Sequence, residues 1–342
     1  ELSQIPLKAS DRTWDDPIVI GGGPCSYNPE PIAAFFDLFY IGEGETQYRA
    51  LLDLYKKMRE EDCSRESFLR EASKVPGIYV PSLYQVTYHE DGTIASFEPI
   101  YDDVPLTVCK EVETSLSDTF YPTKPVVPFI KATQDRVTLE IMRGCIRGCR
   151  FCQAGQLYRP IRERAVEVLK KYAVEMIRNT GYEELNLSSL SSSDYSKLEE
   201  LLLFLIDECN RQKINISLPS LRIDAFSLDV MNKVQDVKKS SLTFAPEAGT
   251  QRMRDVINKG LTLDNILEGA RLAFEGGWNK VKLYFMLGLP FETEEDIRGI
   301  AELCNVVAKV YYDTVPKEKR NGRVSITAST SFFIPKPFTP FQ

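Results

Sequence analysis

The stretch "GCIRGCRFCQAG", residues 144–155, places cysteines at 145, 149 and 152, separated by Ile146, Arg147 and Gly148 and then by Arg150 and Phe151. The chain has eight cysteines, and no other two lie this close. Three thiolates on one loop are a metal-cluster signature. A structural zinc takes four ligands, and the single histidine, His89, falls on the tip of a predicted hairpin. A disulfide would leave one thiol over. A cubane cluster on three cysteines has a different logic: three irons are tied to protein and the fourth keeps an open position for a substrate-like ligand. Cys145, Cys149 and Cys152 are therefore the candidate metal ligands, with zinc or plain structural thiols as the alternatives.

The loop sits in a regular stretch. "VTLEIMR" (137–143) reads as a strand running into it. After it come a helix through "ERAVEVLKKYAVEMIRNTG" ending at Gly181, a strand "ELNLSSL", a helix near 193–211 and a strand "INISLPSLRI". A short helix near 227–235, a strand "SLTFAPE", helices near 250–257 and 262–275, and a strand "KVKLYFMLGLP" follow. A helix then opens at the capping box "TEED" (293–296), and "RVSITASTSFFIP" is the last strand. Six strand–helix units of about thirty residues predict a parallel sheet curved into a partial (β/α)6 barrel over 136–342. Chemistry in such barrels sits at the carboxyl ends of the strands, where the three cysteines stand.

Upstream, "DPIVIGGGPCSYNPEP" (16–31) and "FDLFYIGEGE" (36–45) are short strands ending in glycine turns. A helix follows over about 46–61, then a hairpin turning at Asp91-Gly92. Residues 1–101 thus read as part of an α/β half-domain, and the proline-bearing 102–135 as a linker that wraps a neighbour. Glu1 in place of Met, and the close at "KPFTPFQ", suggest a piece of a longer protein.

Composition excludes several classes. Apolar residues are 43% and charged residues 27% of 342, ordinary for a globular protein. A net charge of −7 argues against a protein that coats nucleic acid. No apolar run nears the ~20 residues of a membrane span, and no stretch of these residues reads as a signal peptide, so none is expected. Cys25, Cys63, Cys109, Cys209 and Cys304 are scattered, unlike a secreted disulfide framework, so a reducing cytoplasmic compartment is expected.

C-x-x-x-C-x-x-C with an aromatic before the last cysteine, after the first strand of a six-unit α/β barrel, resembles the radical S-adenosylmethionine (SAM) superfamily. The resemblance covers about 136–342. It implies a [4Fe-4S] cluster whose open iron chelates SAM, one-electron cleavage of the sulfonium and a 5′-deoxyadenosyl radical. It implies SAM as small-molecule partner and a reductase or a flavodoxin- or ferredoxin-type electron donor. By the same resemblance, Ser188, Ser189 and Ser191 would hold the SAM amino group, although the acidic glycine-rich version of that strand end is absent. Arg222 would pair with the SAM carboxylate, Glu247 with the ribose hydroxyls, and Gly288 would lie beside the adenine. A helix-capping serine loop and surface salt bridges are the plain alternatives.

"PEAGTQRMRDVINKG" (246–260) and "FIPKPFTPFQ" (333–342) resemble the methylthiotransferase and cobalamin-dependent branch. Residues 1–101 resemble the second half of the cobalamin-binding domain that precedes many such barrels, with Gly21, Gly22, Gly23, Gly42 and Gly44 letting backbone approach the corrin. The motif D-x-H-x-x-G, whose histidine ligates cobalt, is not in this chain. Half a cofactor site and a half-domain kept for packing both stay open. The resemblance implies a methyl or methylthio transferase on an unidentified, macromolecular RNA or protein substrate. The alternative is a zinc-stabilised binding module. Arg143, Arg147, Arg150, Arg159, Arg162 and Arg164 form a basic run suited either to RNA or to the barrel mouth.

Overall fold

The computed structural model describes residues 3–130, 132–217, 242–320 and 322–342. The chain divides into two units, Glu1–Thr114 and Ser115–Gln342. In the first, β1 (Ile20–Gly21), β2 (Leu38–Tyr40) and β3 (Ile78–Tyr79) form one sheet in that order, β1 parallel and β3 antiparallel to β2. Helices α1 (Gly44–Glu60) and α2 (Arg65–Ala72) contribute Leu51, Met58, Phe68 and Ala72 to its core. The predicted strand Pro17–Ile20 is displaced to Ile20–Gly21. Pro17 has no N–H, and Val19 spends its N–H on the Asp37 carboxylate at 2.7 Å. The hairpin β4 (Tyr84–Tyr88) and β5 (Ile94–Pro99) turns over Asp91-Gly92.

The sequence outlines a linker over 102–135, but the unit boundary falls inside it. Val104 is buried in the first core, and Glu111 bridges to Gly42. Leu116 is buried in the second unit, where Tyr121 stacks on Tyr172 at 4.9 Å.

The second unit holds two three-stranded parallel sheets. One is β6 (Val137–Glu140), β9 (Glu184–Ser188) and β10 (Asn215–Ser217), with β9 central. The other is β11 (Leu242–Glu247), β12 (Lys280–Leu287) and β13 (Ser325–Phe332), with β12 central. Between β6 and β9 lie a short antiparallel pair, β7 (Met142–Arg143) with β8 (Arg162–Glu163), the one-turn α3 (Ala154–Leu157) and α4 (Val166–Thr180). Helix α5 (Leu198–Gln212) joins β9 to β10. Helices α6 (Gln251–Val256) and α7 (Leu263–Glu275) join β11 to β12, and α8 (Glu294–Thr314) joins β12 to β13. The predicted helix near 227–235 lies outside the described residues.

Alternation decides which face each strand buries. Val137, Leu139, Leu185 and Leu187 point to a core completed by Leu169, Ala173, Met176, Leu201 and Leu205 of α4 and α5. Phe244, Val281, Leu283 and Phe285 do the same against α7 and α8. The opposite faces carry Thr138, Glu140, Asn186, Ser188, Lys282 and Tyr284, all half-buried or exposed. Helix ends follow local chemistry: Gly181 closes α4 at φ 68°, and the Thr293/Asp296 capping box opens α8. Cys209 is buried in α5, and burial pushes its thiol up to about 12. Burial also raises that of Cys304 in α8. Both act as small hydrophobes. Among the described residues no helix is long and apolar enough to cross a membrane.

Two polar contacts tie the second unit together. Arg164, 1% exposed, donates to the carbonyls of Leu116 and Glu140 and to the Glu140 carboxylate, and lies 4.7 Å over the Tyr121 ring. It thereby staples residues 116–121 onto β6. Asp296, 3% exposed, takes hydrogen bonds from Thr250, Arg252 and Thr293. Burial alone would raise its pKa. The donors outweigh burial and hold the carboxyl below the usual range.

Arg164→Met should cost about 3 kcal/mol or more, because it leaves a carbonyl and a carboxylate without their buried cation; urea unfolding measures it. Asp296 has a depressed native pKa, so its stabilisation is complete above the unfolded carboxylate value, about 4, and is lost as pH falls below that. Asp296→Asn should lower stability at pH 7 by about 1–3 kcal/mol. It should also flatten the stability profile between about pH 5 and 2, read by thermal melts across that range.

Candidate functional site

Residues 144–161 leave the sheet between β7 and β8, whose pairing (Met142↔Glu163, Arg143↔Arg162) closes the neck of the cysteine loop. Gly144 stands in that neck at φ 89°, where a Cβ would lie 2.7 Å from the Tyr158 carbonyl. Only glycine fits both the dihedral and the space.

Beyond the neck the loop has little regular structure, so its backbone groups need outside partners. The Arg150 N–H donates to Ile257 O at 2.9 Å, and its guanidinium to Val256 O at 2.5 Å. Asn258 Nδ2 donates to Gly148 O at 2.9 Å. Arg147 pairs with Asp194 at 2.6 Å. Gln153 Nε2 donates to Pro337 O at 3.4 Å. Phe151 packs on Ala248, Met253, Ile257 and Leu289.

The three cysteines are half-buried. The Cys152 N–H donates to Cys149 O at 3.1 Å, and the Gly155 N–H to Cys152 Sγ at 3.4 Å. Among the described residues no three His, Cys, Asp or Glu side chains stand at metal-binding geometry. The loop supplies three sulfur donors on one stretch of backbone, with an N–H already directed at one sulfur. Such donor chemistry fits an iron–sulfur cluster.

The serine segment follows β9. Ser188 ends the strand, and its carbonyl accepts from the Ile141 N–H at 3.1 Å. Ser189 and Ser192 share a hydroxyl–hydroxyl hydrogen bond of 2.9 Å. Ser191 is 2% exposed, precedes the turn 192–194 without capping it, and its Oγ has no partner. An unsatisfied buried hydroxyl is costly and uncommon. The plain alternative, a serine that caps the next element through its side chain, is not what Ser191 does.

Glu247 ends β11 beyond a register shift, at φ 69°. It pairs with Lys259 at 3.1 Å, their side chains 17% and 13% exposed, so the bridge is not a surface one. Lys259 also lies 5.9 Å over the Phe151 ring. Gly288 follows β12 at φ 79°, its N–H donating to Glu292 at 2.6 Å. Arg222 lies outside the described residues.

The structure thus gathers the cysteine loop, the Ser189–Asp194 segment, Glu247 and Leu289 at the carboxyl ends of β6, β9, β11 and β12. Asp194, Asn258 and Lys259 escaped the reading of the sequence. The signal for the last two is present in "INKG" (257–260): two left-handed residues, Asn258 at φ 52° and Gly260 at φ 61°, flank a lysine.

The arginines of the basic run have local partners. Arg143 pairs with Glu140, Arg147 with Asp194, and Arg150 caps carbonyls. Arg162, 8% exposed, donates to Pro160 O and Tyr158 O, and Arg164 is buried. Arg147 and Arg150 thus hold the cysteine loop, while Arg143 and Arg164 pair with Glu140 at the end of β6. In the first unit, a Cβ on Gly21 would meet the Phe39 ring at 2.4 Å, and one on Gly42 would meet Glu111 backbone at 2.3 Å. At those two positions neighbouring protein leaves no room for a side chain. Gly44 is the first residue of α1, and Gly22 and Gly23 face open space.

Comparison with known proteins matches residues 1–81 to the model "Radical SAM proteins, N-terminal" and residues 139–304 to "Radical SAM superfamily". An uncharacterized protein of Methanocaldococcus jannaschii is 35% identical over 95% of this chain and 61% of its own length. A putative methylthiotransferase of the same organism is 26% identical over 47% of this chain and 37% of its own length. The chain therefore spans less than two thirds of these relatives. Among solved structures, the cobalamin-dependent S-adenosylmethionine radical enzyme OxsB, with aqua-cobalamin and S-adenosylmethionine bound, superposes with a TM-score of 0.59. The identity is 15%, over 95% of this chain and 47% of that one. The radical S-adenosylmethionine methyltransferase TsrM from Kitasatospora setae, with cobalamin and a [4Fe-4S] cluster bound, gives 0.56 at 13% identity, over 96% and 57%. The three-cysteine loop falls inside the second matched region, and the chain belongs to the radical SAM superfamily.

Proposed function

We propose that this chain carries the catalytic part of a radical SAM transferase. The observation that supports it most is the fastening of a three-thiol loop to the ends of three other parallel strands. Cys145, Cys149 and Cys152 would hold a [4Fe-4S] cluster, and the two parallel sheets would make a partial six-stranded barrel around it. Held there and reduced, such a cluster would supply the one electron needed to split SAM into methionine and a 5′-deoxyadenosyl radical. The electron would come from a flavodoxin- or ferredoxin-type donor.

The chain's own residues bind, orient and exclude water. Ser191 offers a hydroxyl that lacks a partner, suited to the SAM amino group, with Ser188 and Ser189 beside it. Arg222 would pair with the SAM carboxylate as a bidentate guanidinium. Glu247 would accept from ribose hydroxyls. Gly288, free of a side chain, would pass close to the adenine. Phe151, packed on Met253 and Leu289, walls the loop on its apolar side.

Methyl transfer is the finer reading, with methylthio transfer beside it. It draws on the likeness to OxsB and TsrM and on the putative methylthiotransferase relative. Cobalamin belongs to this reading through the open glycines Gly22 and Gly23 and through Gly44 at the start of α1. With no D-x-H-x-x-G in the chain, this chain would not ligate cobalt through the histidine of that motif. The alternative, a zinc-stabilised binding module without chemistry, is separated by metal analysis.

Anaerobic reconstitution with iron and sulfide should load about four irons per chain and produce a visible charge-transfer band. The triple variant Cys145→Ala/Cys149→Ala/Cys152→Ala should load none. Full iron in that variant, or zinc in place of iron in the wild type, would overturn the assignment.

Ser191→Ala removes an unsatisfied buried hydroxyl, so the SAM-free protein should be as stable as the wild type or slightly more so. SAM should bind roughly tenfold or more weakly, the loss of one hydrogen bond to a charged group. Calorimetry of SAM binding beside a thermal melt checks both; unchanged affinity would return Ser191 to a purely local role.

A further inference from the structure

Both partners of the Lys259–Glu247 pair are shielded, whereas Lys170, itself 19% exposed, pairs with Glu167 and Glu200 at 76% and 47% exposed. Pairs such as Lys56–Glu60, Lys57–Glu61 and Lys171–Glu175 lie on helix surfaces, their side chains 38% to 77% exposed. Bridges of that kind contribute little. Lys259 is 13% exposed and its partner Glu247 17%. Taking both charges out of water carries a desolvation cost that only close pairing offsets.

Backbone is also bent to make this pair. Glu247 sits at φ 69° and follows a register shift in β11, so its carboxylate leaves the direction that regular pleating would give it. Lys259 lies between Asn258 at φ 52° and Gly260 at φ 61°. Non-glycine residues in the left-handed region cost about 1 kcal/mol or more each, and persist where the surroundings over-determine them. Two such residues converge on one ion pair. The same ammonium stands over the ring of Phe151, the residue directly before Cys152.

We infer that Lys259 is a positioning residue that cancels the charge of Glu247 beside the cysteine loop and holds the Phe151 ring, so that a cluster held by the loop would take up an electron without an adjacent uncompensated anion. The inference rests on the cluster reading above. Three thiolates already make the site electron-rich. A bare Glu247 carboxylate, shielded from water, would oppose further reduction. Lys259 removes that opposition, and its attraction to the ring couples the carboxylate to the loop.

The test is a charge cycle on the reconstituted full chain: Lys259→Met, Glu247→Gln, the double variant and Lys259→Arg. Iron content comes first, then the midpoint potential by EPR-monitored titration. Lys259→Met should keep its iron and show a lower midpoint. The double variant, with no charge left at either position, should return close to the wild type, and Lys259→Arg should stay near it. A midpoint unmoved in Lys259→Met with iron intact overturns the inference while leaving the cluster reading standing. A double variant that falls further than Lys259→Met does the same.

Should the wild type take up no iron, the cluster reading fails, and melts of the iron-free variants still decide the pair. Lys259→Met should melt lower than the wild type, and Glu247→Gln in the same chain should recover most of that loss. Absence of recovery would sink the role assigned to Lys259.

Discussion

A long loop that must hold three thiols in a fixed relation cannot rely on its own hydrogen bonds. Between Gly144 and Ile161 the backbone has one helical turn and little else, and unpaired N–H and C=O groups at a strand end are costly. Contacts reaching in from elsewhere meet that constraint. Arg150 takes the carbonyls that end α6, Asn258 takes Gly148 O, and Arg147 reaches Asp194 across the mouth of the first sheet. The arginines inside the motif thus serve the loop's posture. An acidic chain of net charge −7 can concentrate cations here because each meets a local carboxylate or carbonyl.

The segment 246–260 follows from the same constraint. Gly249 lies against α8, where a Cβ would come within 2.3 Å of the Ile300 nitrogen, and Gly299 answers from the helix side. Thr250 caps α6 by accepting from the Met253 N–H. Arg254, 2% exposed, collects the carbonyls of Ala248, Gly249 and Leu261. Burial alone pulls its pKa down, and those carbonyl bonds are what make a buried guanidinium tolerable. What looks like a string of functional polar residues is largely a bracket. It fixes the height of α6, and the carbonyl end of α6 in turn receives the cysteine loop.

Packing and chemistry are divided between the two faces of each sheet. Alternation sends Leu139, Leu187, Leu283 and Phe285 into the helical layer, so the cores need nothing from the opposite face. That face is free to carry Glu140, Ser188 and Lys282, and the loops above it can vary without loss of the fold.

Much of this was legible in the residues themselves. Periodicity located α4, α7 and α8 because their apolar faces and caps are local properties: Gly181, the Thr262/Asn265 box and the Thr293/Asp296 box act within a few residues of chain. The spacing of Cys145, Cys149 and Cys152 is likewise local, and three thiols on one short loop have few other uses. Partnership across the chain was not legible. The sequence could not say that Arg147 meets Asp194, that Lys259 meets both Glu247 and Phe151, or that Ser191 keeps a buried hydroxyl without a partner. Nor could it say that Phe39 and Glu111 fill the space beside Gly21 and Gly42. The sequence by itself determined which elements form and where thiols, glycines and charges stand along the chain. Only the tertiary structure decided which charges are consumed, because strand order and helix packing bring together residues that lie tens of positions apart.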